Sequence, residues 1–268
     1  MFCPQISMIG YASISYSIAT KTSMKILRRL LFAFATIYLL PTLSAAGLWY
    51  FKERPQSWRD ADWSSAGVLP QATESPDAAI YVLSATTGGM KGAVASHAWI
   101  VTKSEGASSY DRYEKVGWGK PIRKNAYQAD GRWYSNEPRI VVAITGEDAQ
   151  RLMPKVEQAI AAYPYSAPGA YRLWPGPNSN TFVAHVLRSV PELGAVLPPD
   201  AVGRDYLPEG EFFQIDADGR DLHATLYGLA GISAGWRSGL ELHFMGLVAG
   251  IDIARPGIKI PAVGRLGM

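Results

Sequence analysis

Apolar and polar positions along the chain change their spacing several times, and each spacing predicts a different element. Short runs rich in β-branched and aromatic residues, with alternating apolar positions, are typical of strands. Such runs occupy residues 79–85, 93–103, 110–118, 122–127 and 139–144. Glycine, proline and asparagine separate them, so the spacing predicts a sheet built from consecutive short strands.

Two stretches carry helical spacing instead. The first has its apolar residues at Ala149, Leu152, Val156, Ala159 and Ile160. Thr145 and Asp148 indicate a capping box at its start, and Pro154 should kink this helix or delay its start. The second stretch follows the aromatic, proline-rich residues 171–177, and its apolar positions run from Phe182 to Val190. Asn178 or Ser179 is expected to cap it, and Pro191 to end it.

The C-terminal third contains two similar segments 20 residues apart. One begins Asp221-Leu222-His223 and the other Glu241-Leu242-His243, with a glycine-bounded turn at residues 235–239 between them. This arrangement predicts a long β-hairpin, and residues 257–261 an additional edge strand. His223 and His243 lack an evident third ligand, so no metal site is predicted. Two alternatives are open for the loop at Arg204 and Asp205: one of these side chains faces the pocket, or the loop holds a surface ion pair, which we expect.

The N-terminal region has the pattern of an export signal or a membrane anchor. Lys25, Arg28 and Arg29 precede a largely apolar stretch, residues 30–51, which is long enough to span a bilayer. Small residues at positions 44–46 suit signal cleavage, whereas the aromatic residues 49–51 suit an uncleaved anchor at the membrane interface. We therefore expect attachment to a bacterial inner membrane with the remainder in the periplasm, or release into the periplasm if the leader is cleaved.

Four segments follow from these patterns. Residues 1–23 are an extension or an over-extended start site, residues 24–51 the anchor or signal, residues 52–77 a linker, and residues 78–265 a single α+β domain. Trp58 and Trp63 in the linker are expected to pack against that domain. A chain of 268 residues is long enough for such a core.

Charge and cysteine content narrow the function. Four of the 26 basic residues lie in the first 50 positions, which contain no acidic residue, so 22 basic and 23 acidic residues remain in the rest. This balance predicts no nucleic-acid partner. Cys3 is the single cysteine. It excludes an intramolecular disulfide and a cysteine nucleophile in the folded region, and we expect neither a metal nor a cofactor.

The motifs add a family resemblance. The string at residues 174–182, Trp-Pro-Gly-Pro-Asn-Ser-Asn-Thr-Phe, resembles an uncharacterised bacterial family of membrane-associated proteins that is catalogued as a domain of unknown function. Further similarity lies at residues 97–100, 113–119, 191–193 and 203–206, and the resemblance covers about residues 64–265. It implies membrane association but no established activity.

The order of the motifs also resembles permuted papain-like hydrolases of the NlpC/P60 type. In those enzymes a strand histidine comes first, and a cysteine at a helix start follows within an Asn-Cys-x-x-Phe pattern. Here His97 comes first, and Ser179 occupies the position of the cysteine. The resemblance implies an α+β fold with a mixed or antiparallel sheet and a central helix, preceded here by the membrane helix. Glu114 on the next strand would orient His97.

Three interpretations of the helix start remain open. In the first, Asn178, Ser179 and Asn180 are purely capping and turn residues. In the second, they form a binding pocket for peptidoglycan or another envelope ligand, together with Thr181 and an aromatic groove of Trp99, Trp118 and Trp174. In the third, Ser179, His97 and Glu114 form a serine-type amidase, peptidase or acyltransferase that acts on envelope material. A serine hydroxyl is harder to deprotonate than a thiol, so catalysis requires a well-placed base.

Overall fold

The computed structural model describes residues 23–208 and 211–267, and it has an α+β architecture with two antiparallel sheets. The proposed extension at residues 1–23 lies outside this part of the chain, apart from Ser23. A long apolar helix, α1, occupies Ser23–Phe51 and contains a π-helical turn at Ala35–Leu39. Its length and composition are sufficient to cross a membrane, as expected for an anchor or a signal.

The first sheet has five strands in the order β4-β3-β2-β1-β5, all antiparallel. The strands are β1 (Ala79–Thr86), β2 (Ser96–Lys103), β3 (Asp111–Lys115), β4 (Ile122–Lys124) and β5 (Arg139–Thr145). The sequence predicted all five, with boundaries that extend too far in β2, β3 and β4. The strand spacing is therefore a reliable guide to this half of the fold.

The two central strands, β1 and β2, are buried on both faces. On one face Ile80, Val82 and Ile100 pack against helices; on the other Leu83 and Val101 pack beneath an aromatic layer that includes Trp133. Each large side chain buried in this way contributes about 1.5–3 kcal/mol to folding. The core thus fixes β2, the strand that carries His97.

Two helices cover the first face: α2 (Glu147–Ala161) and α3 (Ser179–Ser189). The predicted capping box at Thr145 is wrong, because the residue that precedes α2 is Gly146 and no side chain caps it. Pro154 lies inside α2 without delaying its start. Only the N–H groups of the first turn of a helix lack an intrahelical acceptor. Pro154 is the eighth residue of α2, so it removes one hydrogen bond from the interior of the helix, and the rest of α2 must compensate for that loss.

The second sheet is an antiparallel meander of seven strands in the order β12-β11-β10-β9-β8-β7-β6. They are β6 (Phe213–Ile215), β7 (Asp221–Leu226), β8 (Ala230–Gly235), β9 (Gly239–Phe244), β10 (Leu247–Asp252), β11 (Gly257–Ile260) and β12 (Gly264–Gly267). The single long hairpin predicted from the sequence is wrong. β7 and β9 each begin a hairpin of their own, and β8 lies between them. β11 is also internal, because β12 forms the edge.

The second sheet turns its polar side chains toward the protein. Asp221, His223, Ser233, Glu241 and Lys259 are buried. Their neighbours in sequence face outward and are apolar and exposed; they include Leu226, Ile232, Leu240, Leu242, Phe244, Ile251, Ile258 and Leu266. An ordinary half-buried sheet has the opposite arrangement, with apolar residues inside and polar residues outside.

Helix α1 lies against the folded region over about 16 residues. One stripe of the helix is partly or fully buried: Phe34, Ala35, Tyr38, Pro41, Thr42, Ala45, Ala46 and Trp49. The Tyr38 hydroxyl donates to the Leu242 carbonyl at 2.9 Å, and Trp49 Nε1 donates to the Gly89 carbonyl at 2.9 Å. Residues 52–78 contain no helix or strand, and Trp63 in this segment packs on Tyr127 and Trp133.

Candidate functional site

The start of α3 is a fully formed cap. Asn178 Oδ1 accepts hydrogen bonds from the backbone N–H groups of Asn180 and Thr181, and Thr181 Oγ1 accepts from the Asn178 N–H at 3.1 Å. The Asn178 amide nitrogen also donates to the Leu173 and Val202 carbonyls. A side chain at Gly203 would collide with this amide, because an added Cβ would lie 2.3 Å from Asn178 Nδ2. The cap therefore joins three segments of chain.

Asn180 connects this helix start to the strand that carries His97. Its amide nitrogen donates to the Ser96 carbonyl and to the Val202 carbonyl, both at 2.9 Å. Its Oδ1 atom is buried without a hydrogen-bond partner among the described residues. Because Ser179 precedes Asn180 and His97 follows Ser96, these bonds bring Ser179 and His97 to the same region.

The imidazole of His97 is held on two sides. It stacks on Trp133 with ring centroids 3.8 Å apart and an interplanar angle of 6°. His97 Nε2 lies 3.2 Å from Glu114 Oε2, and the same carboxylate oxygen accepts from Arg112 at 2.8 Å. The Arg112 guanidinium in turn lies over the Trp99 ring, 4.0 Å from its centroid. The imidazole therefore has little freedom to rotate.

The electrostatics of this group define a neutral base. Burial lowers the pKa of His97 below its ordinary value of 6.5, and Glu114 only partly opposes this shift. Burial alone would raise the pKa of Glu114, but His97 and Arg112 outweigh it and hold that pKa below 4.5. A neutral imidazole beside a carboxylate carries its proton on the nitrogen that faces the carboxylate, here Nε2. Nδ1 is therefore the hydrogen-bond acceptor.

Ser179 is the first residue of α3, and its side chain is unpaired. The hydroxyl makes no hydrogen bond within the described part of the chain, and none joins it to His97. Its backbone N–H, the first of the helix, also has no acceptor there. A helix start presents such free donors together with a partial positive charge. The position thus combines a free hydroxyl with a free N–H group.

A cavity of about 700 Å³ contains these groups. Its walls are mainly apolar and aromatic, and α1 contributes Thr42. The lining residues include His97, Ser179, Asn180, Trp118, Trp174 and Thr42. Asn178 also lines the cavity, whereas Glu114 and Thr181 lie behind it. Trp99, predicted as part of the aromatic groove, is fully buried in the core and does not line the cavity.

A second cluster of buried polar groups, which the sequence analysis did not predict, joins the loop at Arg204 and Asp205 to the second sheet. Arg204 Nη2 lies 2.6 Å from Glu241 Oε2, and Lys259 also pairs with Glu241. The expected surface ion pair at Arg204 and Asp205 is therefore wrong, because both side chains are buried. Asp205 instead faces His243, with 3.5 Å between Oδ2 and Nδ1.

Within this cluster, Asp216, His223 and Ser233 form a chain of contacts that resembles a catalytic triad. His223 Nε2 lies 3.0 Å from Asp216 Oδ1, and His223 Nδ1 lies 2.9 Å from Ser233 Oγ. Ser233 is buried, and the adjoining cavity of about 30 Å³ has room for only about one or two water molecules. A substrate cannot enter, so the cluster is structural. In the described residues no group of three or more His, Cys, Asp or Glu side chains could hold a metal.

Comparison with known families finds a domain of unknown function, which fits the expectation of an uncharacterised family. Residues 77–206 match a family described as "Protein of unknown function (DUF3750)". A DUF3750 domain is therefore found at residues 77–206. It includes the first sheet, α2, α3 and every candidate site residue, whereas α1 and the second sheet lie outside it. No curated protein and no solved structure matches the chain significantly.

Proposed function

We propose that the protein is a membrane-anchored binding protein whose cavity at the start of α3 receives the apolar part of a cell-envelope ligand. The observation that carries this proposal is the large, mainly apolar cavity of the DUF3750 domain with a membrane-type helix on its wall. Its volume lies within the range of about 300–1,000 Å³ that is usual for small-molecule sites.

The anchor and its orientation rest on α1. The helix is largely apolar from residue 30 onward, and most of its surface is exposed. Lys25, Arg28 and Arg29 lie near its start, so the positive-inside rule places that end in the cytoplasm and the DUF3750 domain in the periplasm. The ligand would then come from the membrane or the cell envelope, with peptidoglycan and lipids as the candidate classes.

The exposed aromatic residues of the cavity favour an amphiphilic ligand. Trp118 and Trp174 line the cavity and are 53% and 44% exposed. Large exposed aromatic side chains that line an apolar cavity are typical of binding sites. His97, Ser179 and Asn180 are among the polar groups of this mainly apolar space. They would orient the polar end of the ligand while the tryptophans contact its apolar end.

The Trp118→Ala substitution should weaken binding of an apolar ligand about tenfold, or about 1.4 kcal/mol. The indole supplies contact area that alanine cannot replace. The measurement is a titration of the detergent-solubilised full chain with an environment-sensitive fluorescent fatty acid. Trp58→Ala is the matched control, because Trp58 is 57% exposed and does not line the cavity. Equal affinities for both variants, or no saturable binding by the unaltered protein, would contradict the proposal.

A second candidate, a serine-type acyl hydrolase or acyltransferase, is favoured by the fixed His97 imidazole and the free hydroxyl of Ser179. In this reaction Ser179 Oγ attacks a carbonyl carbon, and His97 Nδ1 accepts the hydroxyl proton. The Glu114 carboxylate stabilises the imidazolium through Nε2–H, and the Ser179 N–H stabilises the oxyanion. The imidazolium then protonates the leaving group, and water or another acceptor takes the acyl group from Ser179.

A fluorescent fluorophosphonate distinguishes the two candidates. If Ser179 is a nucleophile, the unaltered protein becomes labelled and Ser179→Ala does not. His97→Gln should lower the labelling rate by about 10²–10⁴ because the general base is lost. The control is Ser189→Ala, an exposed serine at the other end of the same helix, which should label normally. Absence of labelling in the unaltered protein would leave binding as the function of the cavity.

The pH dependence of labelling provides a separate readout. The base form of His97 must be present, and its pKa lies below 6.5. The labelling rate should therefore fall to half of its plateau value only at a pH below 6.5. A half-maximal rate at or above pH 6.5 would contradict His97 as the base.

A further inference from the structure

The outward face of the second sheet is an unbroken apolar surface. Strand register aligns Ile215, Leu222, Ala234, Leu240, Ile251, Ile258 and Leu266 in one row across all seven strands. A second row consists of Phe213, Ala224, Ile232, Leu242 and Ala249, and a third of Leu226, Ala230, Phe244 and Leu247. No residue in these three rows is charged or polar. We call this surface the outer apolar face.

The size of this face indicates a partner. Seven strands spaced about 4.8 Å apart extend over about 29 Å, and the four six-residue strands, β7 to β10, are each about 20 Å long. Leu240, Leu242 and Ile258 on it are between 44% and 53% exposed. Contiguous apolar patches of this size are rare on monomeric soluble proteins and mark contacts with other proteins or membranes.

The position of α1 decides between these partners. Phe34 of the helix packs edge-on against Phe244 of the outer apolar face, with ring centroids 5.0 Å apart. Tyr38 also contacts Phe244, and its hydroxyl bonds the Leu242 carbonyl. The side of α1 that faces away from the protein is apolar and exposed, for example at Leu39 and Leu43. The apolar surface of the helix and that of the sheet are therefore continuous.

We propose that the outer apolar face of the second sheet contacts the acyl region of the same lipid bilayer that holds α1. The folded region then lies against the membrane instead of hanging from a tether. This contact explains the inverted polarity of the second sheet. Lipid covers its apolar side, and buried groups of the protein pair with the polar side chains on its other side. A sheet packed only against water would have the reverse pattern.

The turns of the second sheet limit how deeply its outer apolar face can enter the bilayer. At one end of the strands the turns are apolar, at residues 227–229, 245–246 and 261–263. At the other end they carry Asp218, Arg220, Arg237 and Arg255. β6 and β12 form the edges of the sheet, and a sheet edge cannot remain in hydrocarbon. The two edges and the charged turns therefore lie at the headgroups or in water.

Spin labels on the full chain test this contact. In a Cys3→Ser background, single cysteines at Ile232, Leu240 and Ile258 are labelled after reconstitution into vesicles of phosphatidylethanolamine and phosphatidylglycerol. Leu43→Cys on α1 is the lipid-exposed control, and Ser108→Cys in the exposed loop between β2 and β3 is the water-exposed control. Power saturation then compares collisions with oxygen, which concentrates in lipid, and with a water-soluble nickel chelate.

We expect the three sheet labels to behave like Leu43, with high oxygen and low nickel accessibility. Nickel accessibility at the level of Ser108 would overturn the proposal while leaving α1 as an anchor and the cavity unaffected. Protection from both reagents, together with spin–spin broadening that increases with the protein-to-lipid ratio, would overturn it in favour of a contact between two copies of the chain.

Discussion

Glu241→Gln should lower the free energy of unfolding by about 3–5 kcal/mol, because it leaves buried charges without their partner. The Glu241 carboxylate pairs with Arg204 and Lys259, and its Oε2 lies 3.2 Å from His243 Nε2. Lys259 retains Asp252 as a second partner. Arg204 has no other carboxylate among its ion pairs in the described residues, so it bears most of the loss.

Urea unfolding in detergent micelles, followed by tryptophan fluorescence, measures this loss. Glu192→Gln is the matched control, since Glu192 forms an exposed ion pair with Lys155 and should cost less than about 1 kcal/mol. Similar losses for the two variants would show that the charges around Glu241 are accessible to water. Such a result would also contradict a tight junction between the DUF3750 domain and the second sheet.

The loss of unfolding free energy caused by Glu241→Gln should disappear in acid. Burial alone would raise the pKa of Glu241, but Arg204, His243 and Lys259 outweigh it and hold the pKa well below 4.5. The ionised carboxylate therefore stabilises the protein above pH 4.5, and this contribution is lost as the pH falls through the lower, folded-state value. The difference between the unaltered protein and the Gln variant should narrow over that range.

Asn178→Ala should have the second largest effect, about 2–4 kcal/mol. It removes the cap of α3, worth about 1 kcal/mol, and two hydrogen bonds from Nδ2 to the Leu173 and Val202 carbonyls. Those carbonyls come from segments on either side of the helix start. The variant should therefore also weaken binding of the fluorescent fatty acid, because both segments line the cavity.

The Asn178→Ser substitution separates the contribution of the helix cap from that of the two hydrogen bonds made by Nδ2. A serine hydroxyl can still cap the helix, but it cannot reach both carbonyls. Its unfolding free energy should lie about 1 kcal/mol above that of the Ala variant and below that of the unaltered protein, as measured by the same urea titration. Identical stability of the Ala and Ser variants would indicate that the cap itself contributes little.

The elements near the candidate site could be predicted because their signals are local. Asn178 caps α3, and the capping pattern at residues 178–181 specifies the start of this helix without reference to the remaining chain. Strand β2 likewise follows from its β-branched and aromatic residues. The contact between His97 and Glu114 depended only on β2 and β3 being neighbours, which a short connection favours.

The second sheet could not be predicted in the same way, because alternation reveals two faces without revealing which is inside. Leu240, Leu242 and Phe244 alternate with Gly239, Glu241 and His243, and a soluble sheet would bury the first set. The structure buries the second set. Charged partners for Glu241 come from Arg204 and Lys259, which are 37 and 18 residues away in sequence. Only the folded chain brings them together.

Thr42 on the cavity wall gives leader processing a structural meaning. The small residues at positions 44–46, which suit signal cleavage, lie only two positions after Thr42. A cut there would release Phe34, Tyr38 and Thr42 in one fragment. The processed chain would keep every polar group at the start of α3. The part of the cavity wall that α1 forms would be absent. Retention or removal of the leader thus determines whether α1 covers one side of the cavity or leaves that side open.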